Sequence, residues 1–542
     1  MNVQTSGLPK TGLEGLKENW RSDLLSGFFV FLIALPLCLG IAVASGFPPS
    51  AGIITAIVGG MLVSRLNGSF LTINGPAAGL VVVIIAAVQA LGEGDAMAGY
   101  RYTLAAIMLA GALQILMGLY GAGKYSAFFP AAVIHGMLAA IGIIIIAKQI
   151  HVMLGVFPLP GGIFPTIAQI PHSLLNPNSK IALIGFTGLA ILIGWPMINH
   201  PKLKRIPAPI VVLLSGMLFG QLFGLQVDSQ QSLAPDSSTT AQFLVVIPDR
   251  LANFFYLPDF SKCFSFEFWG AVISICLVGS LETLLSANAV DKLDPYKRPS
   301  DLDRDLMAVG YGNAFAGFLG GLPMIAEIVR SSANIQYGGK TGWANFFHGL
   351  IFLGVVALFP SLLQKIPLAS LAALLVFTGY QLASPETFKQ VLNVGTEQFC
   401  LFVITIIAIL ATDLLFGVAA GIAVKLIIHI ARGVWLENMF KIHFRIEQTA
   451  ANTWVVKLWG SALFSNFIPL KNALVGLEKG KTIIYDFSDG YLIDHTVMEF
   501  IHDFSKNYVL QGGTCRQVGH ALEKFSDHAL AARLMTEDDR KI

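Results

Sequence analysis

The stretch Gly320-Gly321-Leu322-Pro323-Met324-Ile325-Ala326-Glu327-Ile328-Val329-Arg330 sets a carboxylate and a guanidinium three residues apart in apolar surroundings. Residues at i and i+3 are neighbours on a helix, so Glu327 can pair with Arg330 and cancel its charge. Unpaired, Arg330 offers an anion a rigid fork of donors. Glu327 is then a second titratable group, linking anion entry to its protonation or to a cation. A carboxylate near a helix start is itself favoured, so a structural ion pair is the competing reading. A second ionisable position is Glu282, in ICLVGSLETLLSANAV. A carboxylate in an apolar helix is expensive and usually faces a cavity. Ser286 lies four residues on, on the same face, and no Lys or Arg stands at helical spacing to neutralise Glu282. Glu282 can carry a proton, or hold Na⁺ together with the Ser286 hydroxyl. Asp413, after Thr412 at the end of an apolar run, reads as a helix cap or junction.

Two segments must position these groups. Ile73-Asn74-Gly75-Pro76-Ala77-Ala78-Gly79-Leu80 shares the Gly/Pro opening of the 320–330 stretch. Proline suits the first turn of a helix, and the residue before it is pushed toward extended backbone. Each segment therefore reads as extended chain followed by a short helix starting within the membrane, with Arg330 two turns into the second. Such backbone is tolerated at depth where it lines a cavity or is covered by protein. Paired interruptions in the two halves of a chain point to a transporter built from inverted repeats. Two half-helices aim free N–H groups and partial positive charge at one place, which makes an anion site without a metal. The alternative is that the prolines only kink ordinary helices.

The rest of the chain agrees with a membrane setting. Of 542 residues 13% are charged, against about 25% in soluble domains, and the mean hydropathy is +0.68. Leu25–Ala44, Ala131–Ala147, Ile181–Ile198, Ala271–Ala289 and Leu401–Val424 are long apolar runs, and a span needs about 20 residues. The expectation is a polytopic membrane protein with twelve to fourteen segments. The polar start, with Lys10, Lys17 and Arg21, leads into a first transmembrane helix and lacks a convincing cleavage site. With the N-terminus in the cytoplasm, that side receives most of the basic residues, including Lys202, Lys204, Arg205 and Lys292. The other side receives Arg101, Lys148, Lys180, Arg250, Lys262 and Lys365, and the polar loop Val227–Thr240. This bias predicts both termini in the cytoplasm and a plasma (inner) membrane location. Five scattered cysteines form no metal spacing. No basic tail suggests nucleic acid, and no nucleophile–base pair or metal cluster suggests an enzyme.

After Gly433 the pattern changes. Phe440–Phe444, Trp454–Leu458, Thr482–Phe487 and Thr514–Val518 read as strands, and Thr496–Tyr508 and Ala521–Met535 as helices. The boundaries expected are a cytoplasmic segment over 1–22, a transmembrane transport domain over 23–433, and a small α/β domain over 434–542.

The membrane part resembles the SulP (sulfate permease) family, the bacterial relatives of solute carrier family 26. The likeness rests on ALPLCLGIAVASG at 34–46, GSFLTINGPAAGL at 68–80, SLETLLSANAVD at 280–291, GGLPMIAEIVRSSANIQYGGKT at 320–341 and ATDLLFGVAAGI at 411–422. The resemblance implies fourteen segments as a seven-plus-seven inverted repeat. It also implies a core moving against a gate, a homodimer, and substrate between the third and tenth segments. By position, Pro76, Ala77 and Ala78 would line the site from one half-helix, and Met324, Ile325, Ala326, Glu327 and Arg330 from the other. Glu282 matches the acidic position of the Na⁺ site in bicarbonate-transporting relatives, and Ser286 a hydroxyl there. Relatives usually carry small or hydroxyl residues where Met324, Ile325 and Glu327 stand, which makes this pocket narrower and less positive. The tail resembles a short STAS domain through TIIYDFSDGYLIDHT. There Asp494 is followed by His495 and Thr496 rather than directly by the serine of phosphorylatable relatives, so only a weak regulatory role is carried over for these three.

These readings predict a secondary transporter of a small inorganic anion, bicarbonate with Na⁺ or sulfate, in which Glu282 couples transport to Na⁺ or H⁺ and no other cofactor is needed. The alternatives are a proton-coupled dicarboxylate carrier or anion exchanger of the same fold, a nucleobase carrier, for which Met324 and Ile325 offer no polar edge, and an anion channel or non-transporting sensor.

Overall fold

The computed structural model describes residues 8–124, 130–156, 162–198, 206–225, 243–248, 251–450, 452–510 and 512–519, and parts of 522–535. Lys202, Lys204, Arg205, Arg250 and the Val227–Thr240 loop lie outside the described residues.

Among the described residues, eight helices are long and apolar enough to cross a bilayer, and Ala78–Gly92, Ala208–Leu222, Trp343–Leu358 and Thr396–Ala411 are shorter apolar helices. The first span is the Gly12–Ala44 helix, which begins ahead of the expected Leu25, within the polar start of the chain. By packing, the chain forms two compact units. One comprises 1–123 and 141–382, the other 124–140 and 383–542. The division falls before the composition boundary at 433, because the last apolar helices pack with the C-terminal sheet.

In the first unit, helices close without a water-driven force between them, so small residues at crossings matter. At Gly60 an added Cβ would lie 2.5 Å from the Gly349 Cα, so the Pro49–Val63 segment and the Trp343–Leu358 helix touch through backbone. Phe31 of the first helix packs edge-on to Phe352, with ring centroids 4.9 Å apart.

Within this helical unit lie two short strands, β1 (Ile73–Pro76) and β2 (Met324–Glu327). They pair antiparallel, with Ile73 opposite Glu327, Asn74 opposite Ala326, Gly75 opposite Ile325 and Pro76 opposite Met324. Each strand feeds a helix too short to cross a bilayer. Ala78–Leu80 forms a 3₁₀ turn into the first half-helix, Val81–Gly92. The second half-helix, Ile328–Gln336, follows β2 directly. Neither helix starts at its proline, in contrast to the sequence expectation. Pro76 ends β1 and Pro323 precedes β2, because the extended conformation finds a pairing partner in the other segment. Arg330 consequently sits in the first turn of its helix rather than two turns in.

The C-terminal part of the second unit is a six-stranded sheet. Its strands are β3 (His443–Ala450), β4 (Thr453–Ala462), β5 (Thr482–Ile493), β6 (Thr514–Val518), β7 (Leu522–Lys524) and β8 (Arg533–Met535). The order is β3-β4-β5-β8-β7, with β6 on the first half of β5. β4, β5 and β6 are parallel neighbours. The helix His495–Leu510 covers the sheet with an apolar face that includes Val497, Met498 and Ile501. Among the described residues of 521–535, strands stand where a helix was expected: Leu522–Lys524 pairs with Arg533–Met535, and Leu534 pairs with Leu492 at the end of β5. An open sheet edge outbids helix propensity there.

The apolar helices of this unit carry a buried ion network. Glu397 receives Lys425 Nζ at 2.6 Å and Arg432 Nη1 at 2.7 Å. Removing one partner of a buried pair strands the others, so Glu397→Ala is expected to cost about 3–5 kcal/mol, read as a lowered melting temperature. Asp413 caps the Leu414–Ala431 helix by accepting from Phe416 N at 2.9 Å, as its position suggested.

Candidate functional site

The register of β1 and β2 decides the geometry. Pro76 lies opposite Met324, so the first half-helix leaves the strand pair where β2 enters, and the second leaves from the opposite end. Two helix N-termini therefore flank one small sheet, each with unpaired N–H groups and about half a positive charge. The predicted lining residues converge here: Pro76, Ala77, Met324, Ile325 and Ala326 are buried, and Ala78 and Glu327 are half-buried.

A carboxylate of this chain lies at each N-terminus. At the first, Glu282 projects from the Phe266–Leu293 helix against the backbone of Gly79, where a Cβ would collide with the carboxylate. Glu282 is 7% exposed, and its Oε1 lacks a hydrogen-bond partner. Ser286, one turn further, is buried as well, and the Thr283 hydroxyl is buried without a partner. At the second N-terminus, Glu327 is the N-cap, and its Oε2 accepts from Arg330 N at 2.8 Å. Glu327 is also the other carboxylate whose charge acts on Glu282.

Arg330 is fully buried between these features. Its Nη2 donates to Pro76 O at 2.8 Å, tying the second half-helix to the end of β1. Its Nη1 lies against Gly75, where a Cβ would displace the guanidinium. Nε and Nη1 have no hydrogen-bond partner, and Nε is 3.9 Å from Glu327 Oε2. The ion pair read from the sequence is thus present as a loose contact, too long for a hydrogen bond. The Cys38 thiol of the first helix lies within hydrogen-bonding reach of the guanidinium, and His348 of the Trp343–Leu358 helix is near enough to feel its charge.

A polar frame that sequence reasoning missed holds the strands in place. Asn313 Oδ1 accepts from Met324 N at 2.6 Å, while its Nδ2 donates to Met324 O at 3.3 Å and to Gln114 Oε1 at 2.7 Å. Ser331 Oγ accepts from Ile73 N at 2.9 Å, and Asn334 Nδ2 donates to Leu71 O at 2.9 Å. The Asp305 carboxylate takes the N–H groups of Gly68 and Ser69 at 2.8 and 2.9 Å. The signal available in sequence was a polar side chain in an apolar helix, which does not name its partner. Asn313→Ala removes the side-chain partner of both polar groups of Met324, so it is expected to destabilise the protein by about 1–3 kcal/mol and to weaken anion binding. Melting curves and anion titration check the two effects.

The regulatory candidates lie elsewhere, in the second unit. Asp494 is fully buried and accepts from Phe464 N at 2.7 Å and Val497 N at 2.9 Å. His495 Nδ1 is 2.6 Å from Leu530 O, and Thr496 is half-buried. Burial raises the Asp494 carboxyl above the usual range, and Lys425 and the two N–H groups act against that.

The profile of the Sulfate permease family matches residues 20–405. The bicarbonate transporter BicA of Picosynechococcus sp. is 27% identical over 421 residues, covering 77% of this chain and 71% of its own length. The solved transmembrane domain of a cyanobacterium bicarbonate transporter BicA superposes with a TM-score of 0.63 at 24% identity, over 74% of this chain and 97% of that one. Murine solute carrier 26 family member A9, an anion transporter in the inward-facing state, superposes with a TM-score of 0.63 at 16% identity, over 92% of this chain and 85% of that one. These superpositions show a shared fold.

Proposed function

Because the chain belongs to the sulfate permease family, we propose that it is a secondary transporter that moves bicarbonate together with Na⁺, with sulfate as the second candidate cargo. The observation that carries the reading is the flanked strand pair, with two helix N-termini, a buried Arg330 with two unpartnered donors, and a buried Glu282 with an unpartnered oxygen. The donors suit an anion and the Glu282 oxygen suits a cation. The relative BicA, a bicarbonate transporter, supports that choice of cargo.

Charge explains why the two ions would travel together. When Glu282 is ionised, Glu282, Glu327 and Arg330 sum to one negative charge, so an arriving anion then meets net repulsion. Two unit charges 4 Å apart interact by about 4 kcal/mol at an effective dielectric constant near 20. Na⁺ at Glu282, with the Ser286 hydroxyl beside it, removes that penalty and frees the first half-helix for the anion. A dianion such as sulfate suffers twice the repulsion of bicarbonate, which favours the monoanion. The loaded core then shifts against the gate to expose the site on the other side.

The test is uptake of radiolabelled bicarbonate into proteoliposomes at fixed pH, with and without an inward Na⁺ gradient. Gradient-dependent uptake is expected. Its absence in vesicles that do transport sulfate would move the cargo to sulfate, and proton gradients would then be tested against exchange.

A further inference from the structure

We propose that Glu327 is a tethered competitor for the transported anion: its carboxylate occupies the start of the second half-helix beside Arg330 until cargo displaces it. The inference rests on the anion site proposed above.

Glu327 Oε2 accepts from Arg330 N at 2.8 Å, where a bound anion would take the helix N-terminus. The same oxygen is 3.9 Å from Arg330 Nε, near enough to neutralise the guanidinium and too far to accept a hydrogen bond from it. Nε and Nη1 are left without acceptors although the Arg330 side chain is 1% exposed. Charged donors buried in this state are costly, and a free anion, unlike the tethered one, can settle onto them. Exposure indicates which partner yields. Arg330 is locked by Pro76 O and by the close approach of Gly75. The Glu327 side chain is half-buried, at 19% exposure, and its neighbours Ile328 and Val329 are exposed. The carboxylate therefore has an open side to swing toward, whereas the guanidinium has none. Glu282, when ionised, is a like charge for both the tethered and the free anion, and the Cys38 thiol and the His348 ring also interact with Arg330. Bound cargo and the capping carboxylate cannot share the N-terminus, so each loading event displaces Glu327 and each unloading event is assisted by its return.

The test uses full-length protein in detergent, titrated with bicarbonate, sulfate and chloride while the melting temperature is followed, and uptake KM in proteoliposomes. Wild type is compared with Glu327→Gln and with Glu327→Ser, which keeps a favourable capping oxygen without the charge. Both variants are expected to bind at least one of the three anions about tenfold or more tightly than wild type, with KM lowered in parallel. If bicarbonate is silent while sulfate or chloride binding tightens, the competitor stands and the bicarbonate assignment falls. If bicarbonate is bound and transported but the variants bind it no more tightly, the competitor is overturned and the assignment stands. Binding of none of the three by folded variants overturns it too. Loss of folding in both variants would make Glu327 a structural cap and likewise overturn the proposal.

Discussion

Glu282→Gln is expected to abolish Na⁺-driven accumulation of bicarbonate while exchange of labelled for unlabelled anion survives. Glutamine has the same shape and fits the space against Gly79 that admits no Cβ, so packing should change little. It removes the negative charge, and with it the attraction that would bring a cation to a buried site. Removing that charge also removes the repulsion Na⁺ would otherwise cancel, so the anion should bind without the cation. Accumulation should then fall to the equilibrium ratio whatever the Na⁺ gradient. Tracer flux in both directions, measured at equal and unequal Na⁺, separates coupling from transport. Full gradient-driven accumulation in the mutant would sink the coupling role and leave Glu282 as a charge that holds the first half-helix.

Arg330→Ala is expected to impair both binding and stability. The guanidinium lies at the site, in loose contact with Glu327, and its bond to Pro76 O links the second half-helix to β1. Truncation leaves the Pro76 carbonyl without its guanidinium donor, a cavity, and a carboxylate without its counter-charge. Loss of one member of a buried pair costs about 3–5 kcal/mol. Arg330→Lys keeps the charge but not the planar fork, so it should restore part of the stability and little of the anion affinity. Melting curves with anion titration on both variants resolve the two roles. Wild-type stability in Arg330→Ala would show that the tie to Pro76 contributes nothing, and wild-type affinity would remove Arg330 from the anion site.

Much of the architecture was legible because it is written in local chemistry. Hydropathy marks spans, proline removes a donor, and glycine permits close approach, wherever the rest of the chain lies. The same logic failed at two places. Leu522–Lys524 and Arg533–Met535 have helix-compatible composition, yet an open sheet edge beside β5 claims them. Pro76 and Pro323 were expected to open helices, yet extended chain continues past each because each segment meets the other.

Residue types and spacing establish that two apolar helices are interrupted by Gly and Pro, that Glu282, Glu327 and Arg330 stand in membrane surroundings, and that a small α/β domain follows. Only long-range packing sets the pairing of β1 with β2 in a register that puts the half-helix starts at opposite ends of one sheet. It also decided that Glu282 reaches the first of these starts, that Asn313 clamps the backbone of Met324, and that Glu327 caps the helix more closely than it pairs with Arg330. Periodicity and residue type report what a segment needs. Which distant segment meets that need depends on packing and register, and neither is encoded in the residues of one segment.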